Sequence, residues 1–390
     1  MKKYSHPFAQ AGFTLVEMMV AIVIGIFMVL ALIALLINVN RNNSEMSKTG
    51  MMIESGRFAM QLLEADISHA GYWGGFVPHF DDLTLKTVPG DVPTAVPDPC
   101  KTFINWTAAD QTNLIGIAVQ GYEIPAPVPS PTLSVCATRV TSPKPNTDVL
   151  FVRHAATCVP GVDGCAAASA GELMFQTGRC GDVLGGAPYV LAPYDADPTT
   201  TPHTLQNRNC TTTAELRRFV SNLYYVRNYA NSVGDGIPTL MRSTFVPVGF
   251  ANELKHDAAQ ALVEGVEGFR VEYGVDNVSD SGAAVNLGQA VVWADPANKV
   301  SPTNRGDGVP DGNYVRCTAA APCSAGQLTN VVAVKIYLLL RSDKETPGYL
   351  DTKTYHIGGT TAGPFNDRFK RHLFVQTVRL NNVSSRRETP

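Results

Sequence analysis

The side chain whose chemistry most needs an explanation is Glu17. It heads a run, Met18 to Ile37, that carries no charged residue. A carboxylate at the centre of a membrane helix costs about 2.5–3.5 kcal/mol on insertion scales, and less near the helix end. Three chemistries would relieve that cost. The side chain can reach the interface, cap the positive end of the helix dipole, or pair with a cation. The second chemically capable set is eight cysteines, at 100, 136, 158, 165, 180, 210, 317 and 323. Their spacing is irregular and contains no CxxC, so the thiolate pairs of a zinc ribbon are lacking. Disulfides fit better and imply an oxidising compartment such as the periplasm; free buried thiols are the alternative. Eight cysteines allow about 105 pairings. Proximity alone favours Cys158 with Cys165 and Cys317 with Cys323. Cys100 with Cys136 and Cys180 with Cys210 would close larger loops, and each bond would contribute about 2–4 kcal/mol.

Other constellations are weaker. Asn304, Asp307, Asp311 and Asn313 lie in NRGDGVPDGN. Alternating oxygens with glycines suit a calcium loop, so Asp307, Asp311 and Asn313 are calcium candidates, although the spacing is not that of an EF-hand. Asp and Gly also simply make turns. The triplet Arg305-Gly306-Asp307 reads as chance. There is no GxSxG, HExxH or Walker A loop, and catalysis gets no support. His154 and His372 read as exposed strand or turn residues rather than as bases. No other metal or cofactor is implied.

The elements that would carry these residues follow from the pattern. The chain has 390 residues and a net charge of −3, with no concentrated basic face for a nucleic acid. Met18 to Ile37 meets the length of about 20 apolar residues that spans a bilayer core. Lys2 and Lys3 precede it and should keep the N-terminus cytoplasmic, with the remainder exported. The helix should continue to about His69. Val39, Met46, Ile53, Met60 and Ile67 recur at seven-residue spacing, with Leu62 and Leu63 nearby, as a docking face. Gly71, Gly74 and Gly75 mark its end. Gly50 and Gly56 interrupt the seam that a coiled coil would need. No proline falls between Pro7 and Pro78, so nothing breaks the helix. Glu123–Thr132 reads as a stiff extended loop, and 157–213 as stapled loops. Strands are expected at Asp148–Arg153, Arg218–Asn228, Thr239–Val246, Gly268–Val275, Val331–Arg341 and Leu373–Leu380, with a short helix near His256–Glu264. Antiparallel pairing follows from the lack of long crossover helices.

Gly12-Phe13-Thr14-Leu15-Val16-Glu17, behind a short basic leader and before an unbroken apolar run, resembles the type IV prepilin signature. The resemblance implies that a prepilin peptidase cuts between Gly12 and Phe13 and that the new Phe13 amine is methylated. It also implies that the mature helix waits in the membrane until assembly. Many pilins carry a proline in the second half of this run; here Ala34 stands without one. Leu223–Arg227, Leu262–Val266, Val271–Asp276 and Val332–Arg341 resemble the PilW group of minor pilins. That group is thought to prime assembly at the fibre tip and to present a tip adhesin.

The expectation is an α+β, pilin-like fold: a long N-terminal helix packed on an antiparallel sheet, with disulfide-stapled insertions. Residues 1–12 would be the cleaved leader, 13–37 the transmembrane half of the helix, 38–71 its amphipathic half and 72–390 a periplasmic head. The implied partners are other minor pilins, the major pilin, prepilin peptidase, the inner-membrane assembly platform and a tip adhesin. The nearest rival is a large-headed minor pseudopilin of type II secretion. A plain membrane-anchored periplasmic binding protein is the rival of another class.

Overall fold

The computed structural model describes residues 12–128, 136–180 and 188–388. Part of the Glu123–Thr132 loop and most of the leader therefore lie outside the described residues. The chain forms two compact units, 1–51 and 52–390.

In the first unit, helix α1 begins at Leu15 and continues into the second unit, to His69. Met18 to Ile37 is exposed along most of its length, and α1 is long and apolar enough to cross a membrane. No proline or break interrupts it. Further along, Lys48 pairs with Glu45 at 3.0 Å.

In the second unit α1 buries Met52, Gly56, Ala59, Met60, Leu63 and Ile67. This three-and-four spacing is the real docking stripe. It corrects the seven-residue series: Met60 and Ile67 are buried, but Ile53 is 37% exposed, and Val39 and Met46 of the first unit are exposed too. Gly56 has a packing reason, because a Cβ there would sit 2.2 Å from the Phe374 ring. Gly71, Gly74 and Gly75 take positive φ beyond the helix end.

The head holds two antiparallel sheets. The larger has the path β1 (Val119–Ile124), β2 (Thr147–Ala155), β5 (Leu216–Arg227), β3 (Leu173–Thr177), β4 (Tyr189–Pro193). Strand β6 (Thr239–Val248) adds to β5 and carries β7 (Glu253–His256) and β8 (Gln260–Glu264). The smaller sheet places β12 (Val331–Arg341) between β9 (Val266–Val275) and β15 (Arg371–Arg379). Strands β10 (Trp293–Asp295) and β11 (Val300–Pro302) form one ribbon, and β13 (Tyr355–Ile357) and β14 (Thr360–Ala362) another. Helices α2 (Ala108–Gly116), α3 (Ala325–Thr329) and α4 (Asn381–Arg387) are short. Val152, Tyr224, Leu240, Phe269 and Leu338 share one buried cluster with the α1 stripe, so the helix is a core element of both sheets.

Two expectations are corrected here. His256–Glu264 is not a helix: it supplies the end of β7 and all of β8. The stapled region 157–213 also contains β3 and β4, which frame an aromatic cluster of Trp73, Phe175, Phe219 and Phe245.

Candidate assembly site

The N-terminal site is built from four residues, Gly12, Phe13, Thr14 and Glu17. Gly12 and Phe13 precede the helix, and Phe13 is 86% exposed. A Cβ at Gly12 would meet nothing within 4 Å among the described residues, so the subunit's own packing does not demand glycine there. Thr14 caps α1. Its backbone N–H and its hydroxyl donate to Glu17 Oε2, each at 2.9 Å, and Glu17 N–H donates to Thr14 Oγ1 at 3.3 Å. This is a reciprocal capping box. It realises the helix-cap chemistry for Glu17 within one chain and engages one carboxylate oxygen. A carboxylate accepts about four hydrogen bonds, so Oε1 keeps its capacity.

The head end of α1 is held by a different acid. Asp66 Oδ1 accepts from His154 Nε2 and from Asn222 Nδ2, each at 3.0 Å; its Oδ2 accepts from Tyr224 OH at 2.9 Å. His154 projects from β2, and Asn222 and Tyr224 from β5. His154 is buried, not exposed as its sequence setting suggested, whereas His372 is exposed as expected. Asp66 was missed. Its signal was an acid between Leu63 and Ile67, on the apolar side of the helix.

Three arginine clusters fasten the smaller sheet. Arg270 and Arg316 share Asp148 at 2.7 and 3.0 Å and Glu123 at 3.0 and 2.9 Å. Arg371, whose side chain is fully buried, meets Asp351 at 3.0 Å and Asp367 at 2.6 Å. Arg387 of α4 reaches Asp81 at 3.0 Å and Asp276 at 3.3 Å, tying α4 into the core. Burial lifts the Asp276 carboxyl to about 6. By contrast, buried Arg153 has carbonyl partners only, Ile117 O and Gln120 Oε1, and burial brings its guanidinium down to about 9. His256 is buried with Nε2 unpartnered, and burial drives it down to about 3.

The cysteines pair as Cys100–Cys136, Cys158–Cys165, Cys180–Cys210 and Cys317–Cys323. The acidic loop oxygens accept from backbone N–H groups. Asp307 accepts from Val309 N–H at 2.8 Å, and Asp311 accepts from Asn277 and Val278 N–H at 2.7 Å. Asn304 is buried, with its oxygen on Val292 N–H at 2.9 Å. Among the described residues no group of three or more His, Cys, Asp or Glu is placed to hold a metal. Arg305 is 2% exposed, its guanidinium bonded to carbonyls of Asn286 and Gln289, so the Arg-Gly-Asp triplet is not presented for recognition.

The comparisons with known proteins meet this geometry at both ends. The family model for the prokaryotic N-terminal methylation motif matches residues 7–37. The model for type IV pilus-assembly protein W matches 223–382, from β5 to the start of α4. No curated protein matches the chain. Among solved structures, a type IV-like pilin from Thermus thermophilus aligns at 12% identity over 85% of this chain and 97% of that one, with a TM-score of 0.30. A methylation motif leading an apolar helix, and an assembly-protein segment closing the head, make the chain similar to type IV pilus-assembly proteins at both ends.

Proposed function

We propose that this chain is a minor pilin of a type IV pilus that enters a tip or initiation complex and primes assembly. One observation carries the reading: the methylation motif and the assembly-protein segment occur on the same chain. In this reading prepilin peptidase releases residues 1–12, and Phe13 gains a methylated, positive amine. Residues 13–37 anchor the subunit in the inner membrane, and 72–390 stand in the periplasm. The work is structural, not enzymatic.

Glu17 sets register during assembly. The neighbouring subunit's Phe13 amine approaches the carboxylate whose Oε2 already rests on Thr14. At 4 Å and an effective dielectric near 20, such a pair gains about 4 kcal/mol before desolvation. Any other stagger leaves both charges unpaired in apolar surroundings. The partners are the major pilin, other minor pilins, the inner-membrane assembly platform and a tip adhesin. A large head suits a place where few copies sit.

Mass spectrometry of the protein from sheared fibres tests this. The expected N-terminus is methylated Phe13; a chain starting at Met1, or beyond Ile37, overturns the reading. A type II pseudopilin is the second reading, favoured by the shared N-terminal signature. Deletion that abolishes exoprotein secretion and leaves surface fibres intact would select it.

A further inference from the structure

Between the two sheets lies a cavity of about 530 Å³. Its walls are the β13–β14 ribbon, strands β9 and β12, Glu123 of β1, and the turn at Lys144 to Asn146. The volume is within the range of small-molecule sites. Its carboxylates are already engaged: Glu123 holds Arg270 and Arg316, and Glu267 holds Arg371 at 2.5 Å. One cation is not. Among the described residues Lys144 Nζ has no hydrogen bond or ion pair, although the residue is half-buried. Burial also pulls this ammonium below its ordinary pKa, and nearby Arg341 and Arg371 add to that, against Glu267. A half-buried ammonium with no protein acceptor has three donors to offer to a ligand or water.

The lysine is also pre-positioned. It stands between Pro143 and Pro145, and its backbone N–H donates to Val226 O at 2.8 Å. Thr147 Oγ1 grips its carbonyl at 2.6 Å. Thr361 and Phe365 also line the cavity. The lining thus offers one unspent cation, hydroxyl and amide edges, planar charged pairs and an apolar wall. Planar polar edges with an aromatic face suit the hydroxyls and C–H faces of a sugar ring. The ammonium adds a carboxylate requirement.

We propose that this cavity binds an acidic sugar, a hexuronate residue, with its carboxylate on Lys144. The proposal stands independently of the fibre reading. Calorimetric titration of the full chain in detergent micelles tests it, with glucuronate as probe and glucose and acetate as comparison arms. Glucuronate should bind at least about tenfold more tightly than either, since the ring contacts and the charge contact each contribute. Lys144→Met should weaken glucuronate about tenfold, the loss of one charge-assisted bond, with an unchanged melting temperature. Thr361→Val, on an exposed ribbon, provides a second reading and should weaken all sugar binding while sparing acetate. Absence of glucuronate binding, glucose binding equal to glucuronate, acetate binding equal to glucuronate, or affinity unchanged in both variants would each overturn the proposal.

Discussion

Glu17 and Asp66 are both acids among apolar residues of α1. Glu17 is bonded to Thr14, three residues away. Asp66 is bonded to His154, Asn222 and Tyr224, 88, 156 and 158 residues away. Its side chain is 11% exposed, whereas Glu17 sits on open helix surface. The contrast shows what an acid in an apolar stretch can be for. Asp66 has spent its acceptor capacity inside its own subunit, so it is a structural clamp. Glu17 has spent part of its capacity on its own cap, and in the proposed assembly role the rest is left for another chain.

The largest expected effect tests the clamp. Asp66→Ala leaves the donors of Asn222, Tyr224 and His154 facing nothing. Removing one partner from a buried charged network costs about 3–5 kcal/mol. Denaturant unfolding of the head should show that loss. A loss under about 0.5 kcal/mol, the range of ordinary surface changes, would erase the contrast with Glu17.

Next comes the stripe beside the clamp. Gly56→Ala would press a methyl group into the Phe374 ring of β15. Overpacking of this kind costs about 1–3 kcal/mol. Gly50→Ala, where a Cβ meets nothing within 4 Å, should be neutral or slightly stabilising in the same assay.

These residues also show what the sequence could reveal. The helix, its unbroken run and strands such as Val331–Arg341 were legible because long apolar periodicity is read locally. The seven-residue series misled at Val39, Met46 and Ile53, because the true stripe follows the head's surface and begins only at Met52. Near His256 the alanines of Asp257-Ala258-Ala259-Gln260-Ala261 favour a helix, yet β6 recruits both flanks as partner strands. Cross-strand pairing there overrides local propensity. Asp66, Arg371 and Arg387 were hidden for another reason: their partners lie far away in sequence, and a single acid or arginine gives no local signal. Glu17 stood out because the apolar run it heads is read locally; its Thr14 partner came only from the structure.

Acid distinguishes clamped from unclamped polar groups. His256 is held near 3 by burial, against 6.5 in the unfolded chain. Its folded pKa is depressed, so the stability it contributes is present above pH 6.5 and is lost as pH falls toward 3. Asp276 acts oppositely: its folded value is raised to about 6 from 3.8, so the stability it contributes is fully present below pH 3.8 and is lost as pH rises through about 6. Comparing wild type with His256→Gln isolates the first effect. The difference in unfolding free energy should be constant above pH 6.5 and change by about 1.4 kcal/mol per pH unit below it. A difference that stays flat to pH 4 would show that His256 is not buried neutral.

The smallest expected effect on the head is that of Glu17→Val, and it is the most informative. The cap on α1 loses its reciprocal half, which is worth about 0.5–2 kcal/mol to a helix end but acts far from Asp66. Head unfolding should therefore move by less than about 0.5 kcal/mol. Fibre incorporation should nonetheless fall about tenfold or more, because a valine leaves the neighbour's Phe13 amine without a counter-charge. Glu17→Gln separates the two roles of the side chain. Its amide oxygen can still accept from Thr14 and keep the cap, but it carries no charge for an amine. If Gln restores incorporation, Glu17 is a cap like any other and the contrast with Asp66 is only one of burial. If Gln fails as Val does while the head still melts normally, the charge itself is what the assembling chain reads.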